Sequence, residues 1–92
     1  MDAKPVDAYK ITSHAAWEME RRGIDGATVE AVLSTPQQRI PMRQGREVLQ
    51  SCMKLGRKMY LVRAFVDTDR EPAELVTVYR TSKIDKYWRE TP

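Results

Sequence analysis

The fold is decided by residues 58–66, KMYLVRAFV. Successive side chains of a β-strand point to opposite faces, so this stretch divides into two sets. One face receives Tyr60, Val62, Ala64 and Val66. The other face receives Met59, Leu61, Arg63 and Phe65. Because both sets are mostly apolar, we predict that this strand is central and covered on both faces.

Three further strands are predicted around the central one. They cover residues 39–43, 47–54 and 74–80. Pro41 cannot donate to a β-ladder and indicates an edge, while Gln44-Gly45 and Gly56 mark turns. We therefore expect a four-stranded antiparallel sheet in which strand 58–66 pairs with strand 74–80.

Two short helices are predicted before the sheet, at residues 13–22 and 26–34. Ser13 suits an N-cap, and Gly23 suits the left-handed residue that ends a helix. Asp25 caps the second helix, which Pro36 ends because the residue before a proline avoids the helical region. After the sheet, Thr81-Ser82 is expected to cap a short C-terminal helix.

This order predicts the α+β class, with two N-terminal helices packed on one sheet face. Residues 1–10 are expected to be a flexible start and residues 11–92 one domain. Alternation along the last strand places Val76, Val78 and Arg80 on one face. The predicted core consists of Ala15, Met19, Ile24, Val29, Val32, Leu33, Val62, Ala64, Val76 and Val78.

Composition sets the remaining limits. The chain has 92 residues, of which 41% are hydrophobic and 32% charged, as is typical of a small globular domain. No stretch resembles a membrane span or a signal peptide. Cys52 and His14 are the only residues of their types, which excludes an intramolecular disulfide and argues against a metal cluster. We expect a cytoplasmic protein without a cofactor. Its net charge of +3 permits a phosphate-bearing partner.

The first candidate site lies along the first helix. His14, Glu18 and Arg22 are spaced by four residues and share one flank of the helix. Near the positive end of the helix dipole, the His14 imidazole should tend toward its neutral form and accept a proton. The alternative is a surface ladder in which Glu18 and Arg22 form an ordinary helical ion pair.

The second candidate site follows the last strand. Arg80 continues an apolar face and needs a carboxylate, a carbonyl or a bound anion. Tyr79 can donate a phenolic hydrogen bond, and Lys83 begins the short helix. A structural Arg–Glu pair, with Glu18 or Glu47, is the competing explanation for Arg80.

Tyr87 and Trp88, which lie between Lys86 and Arg89, could stack on bases beside phosphate contacts. Their helical spacing favours docking onto the sheet instead.

Two segments carry a resemblance to a known family. They are SHAAWEMERRGID at residues 13–25 and TVYRTSK at residues 77–83, followed by Lys86-Tyr-Trp. They resemble the opening and closing motifs of domain of unknown function 4258. That resemblance implies a fold like the RelE-like and BrnT-like ribonuclease toxins, which bind an antitoxin. The motif positions are occupied by His14, Arg22, Tyr79, Arg80 and Lys83; Glu18 departs from the family, which more often has arginine there.

Three functions are compatible with these patterns. A metal-independent endoribonuclease would use His14 or Glu18 as base, Tyr79 or Lys83 as acid and Arg80 as a clamp on phosphate. Further phosphate contacts would come from Arg22, Lys83 and Lys86. A non-catalytic RNA- or protein-binding module would use the same cations. An accessory domain would bind an antitoxin-like protein or a second copy of the chain. The first function predicts that His14 and Arg80 share one cleft.

Overall fold

The computed structural model describes residues 4–90, which form three helices and one five-stranded mixed sheet. The strands are β1 (Tyr9–Ile11), β2 (Gln38–Arg43), β3 (Arg46–Leu55), β4 (Lys58–Asp67) and β5 (Ala73–Thr81). The helices are α1 (Ser13–Arg22), α2 (Gly26–Ser34) and α3 (Ile84–Tyr87). Across the sheet the order is β1-β5-β4-β3-β2.

Local sequence signals fix both N-terminal helices. The Thr12 hydroxyl accepts a hydrogen bond from the Ala15 amide and caps α1, so the cap is one residue earlier than predicted. Gly23 ends α1 with φ 65°, a left-handed conformation that glycine adopts without strain. Asp25 caps α2 through the Thr28 amide, as predicted. The predicted bounds of both helices are confirmed.

The prediction that residues 58–66 form the central strand is confirmed, but the sheet has an edge strand that was not predicted. β4 pairs antiparallel with both β3 and β5. The prediction of four antiparallel strands is wrong because β1 adds a fifth strand, parallel to β5. Residues 9 and 10, expected within the flexible start, form this strand together with Ile11, and the amide of buried Val6 donates to the Leu33 carbonyl. Residues 1–3 lie outside the described residues.

Helices α1 and α2 cover one face of the sheet and enclose the main core. Fully buried side chains there include Val29, Val32, Leu33, Val62 and Val78. The prediction that Val76 lies in the core is wrong. The pairing of β4 with β5 shifts register between Phe65 and Val66, so Leu75 takes the inward position and Val76 is only half-buried. Met19 packs against the core but is not fully buried.

The C-terminal segment is held beside β2 and β3. The Gln38 side chain donates to the Arg89 carbonyl at 2.6 Å and accepts from the Arg89 amide at 3.1 Å. α3 is a single turn within this segment, and its half-buried Tyr87 lies against the face of the sheet opposite α1 and α2. The predicted docking of the C-terminal aromatic residues is therefore observed for Tyr87. Among residues 4–90, no helix has both the length and the apolar character needed to span a membrane.

Candidate functional site

A half-buried arginine lies in the middle of the sheet, on the face opposite α1 and α2. Arg63 is on β4, and its cross-strand neighbours are Gln50 on β3 and Tyr79 on β5. Phe65 lies two residues along the same strand, and Tyr87 approaches from α3. We call these five residues, Gln50, Arg63, Phe65, Tyr79 and Tyr87, the Arg63 face.

Two neutral side chains hold the guanidinium of Arg63 in place. Its Nε donates to Gln50 Oε1 at 2.8 Å, and its Nη1 donates to the Tyr79 hydroxyl at 2.8 Å. Gln50 is fully buried, and its amide nitrogen donates to Gln38 Oε1 and to the Tyr87 carbonyl. One buried amide therefore orients Arg63 and also anchors the C-terminal segment.

Three aromatic rings surround the same guanidinium. The Arg63 Cζ lies 4.4 Å from the centroid of Tyr87, 5.4 Å from that of Phe65 and 5.8 Å from that of Tyr79. The Phe65 and Tyr79 rings stack with centroids 6.0 Å apart, and Tyr87 meets Tyr79 edge to face. Cation–π contacts of this kind stabilise a guanidinium without neutralising its charge.

The charge of Arg63 has no counterion among residues 4–90. No carboxylate in that range lies within 4.0 Å of its nitrogens. Two other arginines of the sheet do have counterions, since Arg39 pairs with Glu47 and Arg46 pairs with Asp67. A fixed, half-buried and uncompensated guanidinium is suited to bind an anion.

The pKa values of the two tyrosines of the face, Tyr79 and Tyr87, are shifted in opposite directions. Burial raises the pKa of Tyr79, although the hydrogen bond and charge of Arg63 lower it in part. The Tyr87 pKa is lowered, chiefly by its hydrogen bond with Tyr79 and further by Lys86 and Arg63, against the effect of burial. Tyr87 is thus the more acidic phenol of the pair.

The predicted Glu18–Arg22 pair connects α1 with this face. Glu18 is buried and binds Arg21 at 3.0 Å and Arg22 at 2.5 Å. Arg22 also donates to the Val78 carbonyl at 2.9 Å, and its Cζ lies 5.9 Å from the Tyr79 ring centroid. Burial raises the pKa of Glu18, but the hydrogen bond of Arg21 and the nearby charges lower it more. Glu18 is therefore held as an anion inside an ion-pair network.

The structure does not bring His14 to Arg80. The Thr12 amide at the start of α1 donates to the Leu75 carbonyl, whereas Arg22 at its end binds Val78. Arg80 lies about 13–16 Å further along β5 than Leu75, because each strand residue adds about 3.3 Å. His14 is exposed, with its ring 6.1 Å from that of exposed Trp17.

The remaining predicted site residues divide between the two sheet faces. Arg80 is exposed on the helix-covered face, and its Cζ lies 4.8 Å from the Tyr60 ring centroid. It makes no ion pair with Glu18 or Glu47. Lys86 belongs to the other face, with its Nζ 5.3 Å from the Tyr87 ring centroid. Lys83 is exposed, and its amide donates to the Thr81 hydroxyl.

Comparison with known proteins identifies the family. Residues 11–80 match the domain of unknown function DUF4258. The chain belongs to this family. No curated protein and no solved structure matches the chain. The part of the chain that matches DUF4258 contains Gln50, Arg63 and Tyr79, and it ends before α3 and Tyr87.

The sequence predicts Tyr79 as a site residue, but Gln50 and Arg63 are not among the predicted site residues. The alternation of β4 places Arg63 on the correct face without indicating a role for it. The available signal was a cation in the middle of an otherwise apolar central strand. A polar Gln50 in the neighbouring strand could not be paired with it before the register was known. Within residues 4–90, no group of three or more His, Cys, Asp or Glu side chains is arranged to hold a metal ion.

Proposed function

We propose that this domain binds RNA through the Arg63 face. The observation that carries the proposal is the uncompensated guanidinium of Arg63, which two neutral hydrogen-bond acceptors fix among three aromatic rings. A phosphate oxygen can take the guanidinium charge, and unpaired bases can stack on aromatic side chains of a sheet. Lys86 flanks the face and adds positive charge. Arg22, whose charge is paired with Glu18, also lies beside Tyr79.

Single-stranded RNA fits this chemistry better than a duplex does. Sequence-tolerant recognition of single strands combines cations for the backbone with aromatic rings for the bases. The Tyr79 and Tyr87 hydroxyls add polar groups that could meet a ribose hydroxyl, the group that distinguishes RNA from DNA. His14 is exposed at the start of α1, whereas Arg22 at the end of that helix lies beside Tyr79, which supports binding rather than His14-dependent cleavage.

The test is a titration of a labelled twelve-residue oligouridylate by fluorescence anisotropy. Arg63→Gln should weaken binding roughly 10–100-fold, because hydrogen bonds to charged groups contribute about 1.5–3 kcal/mol. Arg43→Gln is the matched control, since Arg43 is exposed on β2 and its loss changes the net charge equally. The control should change affinity less than twofold. The proposal fails if the wild-type protein binds no oligonucleotide or if both variants lose affinity equally.

RNA cleavage at the same face is a second candidate, favoured by the lowered pKa of Tyr87 beside Arg63. Cleavage through the ribose 2′-hydroxyl needs proton transfer and charge stabilisation at the phosphate. Tyr87 and Lys86 could transfer protons, and Arg63 could stabilise the phosphate charge. Incubation of a labelled RNA with EDTA-treated protein tests this activity. Tyr87→Phe should abolish cleavage and preserve binding; cleavage that survives the substitution excludes Tyr87.

A further inference from the structure

Two cations share one tyrosine ring at the end of the sheet where β4 begins and β5 ends. The Arg80 Cζ lies 4.8 Å from the Tyr60 ring centroid, and the Lys58 Nζ lies 6.0 Å from it. We call these three residues, Lys58, Tyr60 and Arg80, the Tyr60 corner. It lies on the opposite side of the sheet from Arg63, because Val62, paired with Arg80, alternates with Arg63 along β4.

The Tyr60 corner carries positive charge without acidic partners. Within residues 4–90, no carboxylate lies within 4.0 Å of the Lys58 or Arg80 nitrogens. Arg57, which is exposed, precedes Lys58 in the β3–β4 turn and adds to the charge. Like charges gathered on one ring repel each other, and an anion bound between them relieves that repulsion.

A strand edge connects this corner with the Arg63 face. β1 pairs only with residues 73–75 of β5, so it leaves the later part of that edge without a strand neighbour. Consecutive residues there point to opposite faces, Tyr79 toward Arg63 and Arg80 toward Tyr60. Arg22 lies at the same edge, where it binds the Val78 carbonyl.

We propose that the Tyr60 corner is a second contact for the same RNA strand, which crosses the edge of β5 between its two binding surfaces. This inference rests on the RNA-binding function proposed above and extends it to a polymeric ligand. The Arg63 face would hold one nucleotide with its phosphate, and Lys58 and Arg80 would neutralise phosphates further along the strand. A ligand with a single phosphate can occupy only one of the two surfaces.

The experiment compares the dinucleotide UpU with a twelve-residue oligouridylate in NMR titrations of the whole chain. The double variant Lys58→Gln/Arg80→Gln should weaken binding of the dodecamer at least tenfold and leave UpU within twofold. For this double variant, the slope of the logarithm of the binding constant against the logarithm of salt concentration should become shallower by about 0.7 per lost phosphate contact, the value for single strands. Arg63→Gln should weaken both ligands. Lys10→Gln/Arg43→Gln, two exposed cations elsewhere, is the charge-matched control.

The outcomes separate the two proposals. The corner is excluded if its double variant binds the dodecamer as tightly as the control variant does. The whole RNA-binding function is excluded, and the corner with it, if the wild-type protein binds neither ligand. The single variant Arg80→Lys keeps both the positive charge and native Lys58, so it should retain most of the dodecamer affinity. If Arg80→Lys lost as much affinity as the single variant Arg80→Gln, charge would not be what the corner contributes.

Discussion

The two faces of the sheet are built from different kinds of side chain. Under α1 and α2, the inward positions of β3, β4 and β5 are mostly apolar, and residues such as Leu49, Val62 and Val78 are fully buried. On the opposite face, Val48 and Leu61 are also fully buried. The middle of that face, however, brings together Gln50, Arg63 and Tyr79. Burial of apolar surface stabilises the first face, whereas hydrogen bonds and cation–π contacts organise the second.

This difference indicates a division of roles. A charged residue in the middle of a sheet is costly to desolvate, and its partners here do not cancel its charge. An arrangement that maintains an uncompensated charge is typical of a binding site, so we propose that the core under the helices mainly stabilises the fold and that the Arg63 face is the main ligand-binding surface.

The largest expected effect tests the stabilising role of the helix-covered face. Leu33 is fully buried between α2 and the sheet, so Leu33→Ala should lower the free energy of unfolding by about 2–5 kcal/mol. Urea denaturation followed by circular dichroism measures the change. Met42→Ala, at a half-exposed position on β2, should alter stability by less than about 0.5 kcal/mol. Similar losses in the two variants would contradict the assignment of the core.

The second prediction neutralises the charge of the Arg63 face. Gln50→Glu places a carboxylate beside the Arg63 guanidinium and removes the amide donor to the Tyr87 carbonyl. Because the new ion pair satisfies Arg63, affinity for the twelve-residue oligouridylate should fall about tenfold or more.

Gln44→Glu in the exposed β2–β3 turn is the matched control for net charge and should have little effect on affinity. Equal losses in the two variants would mean that only long-range charge matters. Unchanged affinity in Gln50→Glu would mean that Arg63 is not the anion contact.

The two faces also differ in how far they can be predicted from sequence. The helix-covered face follows from local patterns, since caps at Asp25 and Gly23 and the alternation of β4 determine its elements. The error at Val76 came from one irregularity, the register shift that places Leu75 inward. A single extra residue in a strand reverses every side chain beyond it, and alternation alone cannot detect it.

The Arg63 face depends on pairings between distant parts of the chain. Gln50, Arg63, Tyr79 and Tyr87 belong to four different elements and meet only when the strand order and register are known. β1 was missed for a related reason: a three-residue strand has too little pattern to be distinguished from coil, and its pairing partner lies at the other end of the sequence. The periodicity of a segment predicts which of its side chains share a face, but it does not predict which segments pair with one another.

The third prediction concerns pH and the ion pairs that join α1 to the β5 edge. The Glu18 pKa is lowered in the folded protein, and its ordinary value is 4.5. Its stabilising contribution is therefore fully present above about pH 4.5 and is lost as the pH falls through the lowered folded-state value. Glu18→Gln should lower the urea midpoint at pH 7, and the difference from wild type should shrink in acid.

Exposed Glu20, two residues away on α1, provides the control variant Glu20→Gln. Its urea midpoint should follow that of the wild type throughout the titration. A Glu18→Gln midpoint that stays equally far below the wild type at pH 3 and pH 7 would show that the carboxylate charge is not what stabilises this junction.

The smallest effect is expected for substitution of His14, which the sequence predicts as a candidate proton acceptor. Its side chain is exposed at the start of α1, beside Trp17 and at the opposite end of the helix from Arg22. Surface substitutions without fixed contacts usually change stability by less than about 0.5 kcal/mol. His14→Ala should therefore leave the urea midpoint and oligouridylate affinity nearly unchanged, within about twofold for the dissociation constant. Tyr79→Phe, which removes the hydroxyl that accepts from Arg63, should weaken binding more than His14→Ala. If His14→Ala instead abolishes an RNA-cleaving activity of the pure wild-type protein, the reactive chemistry lies on α1. The division of roles between the two sheet faces would then be wrong.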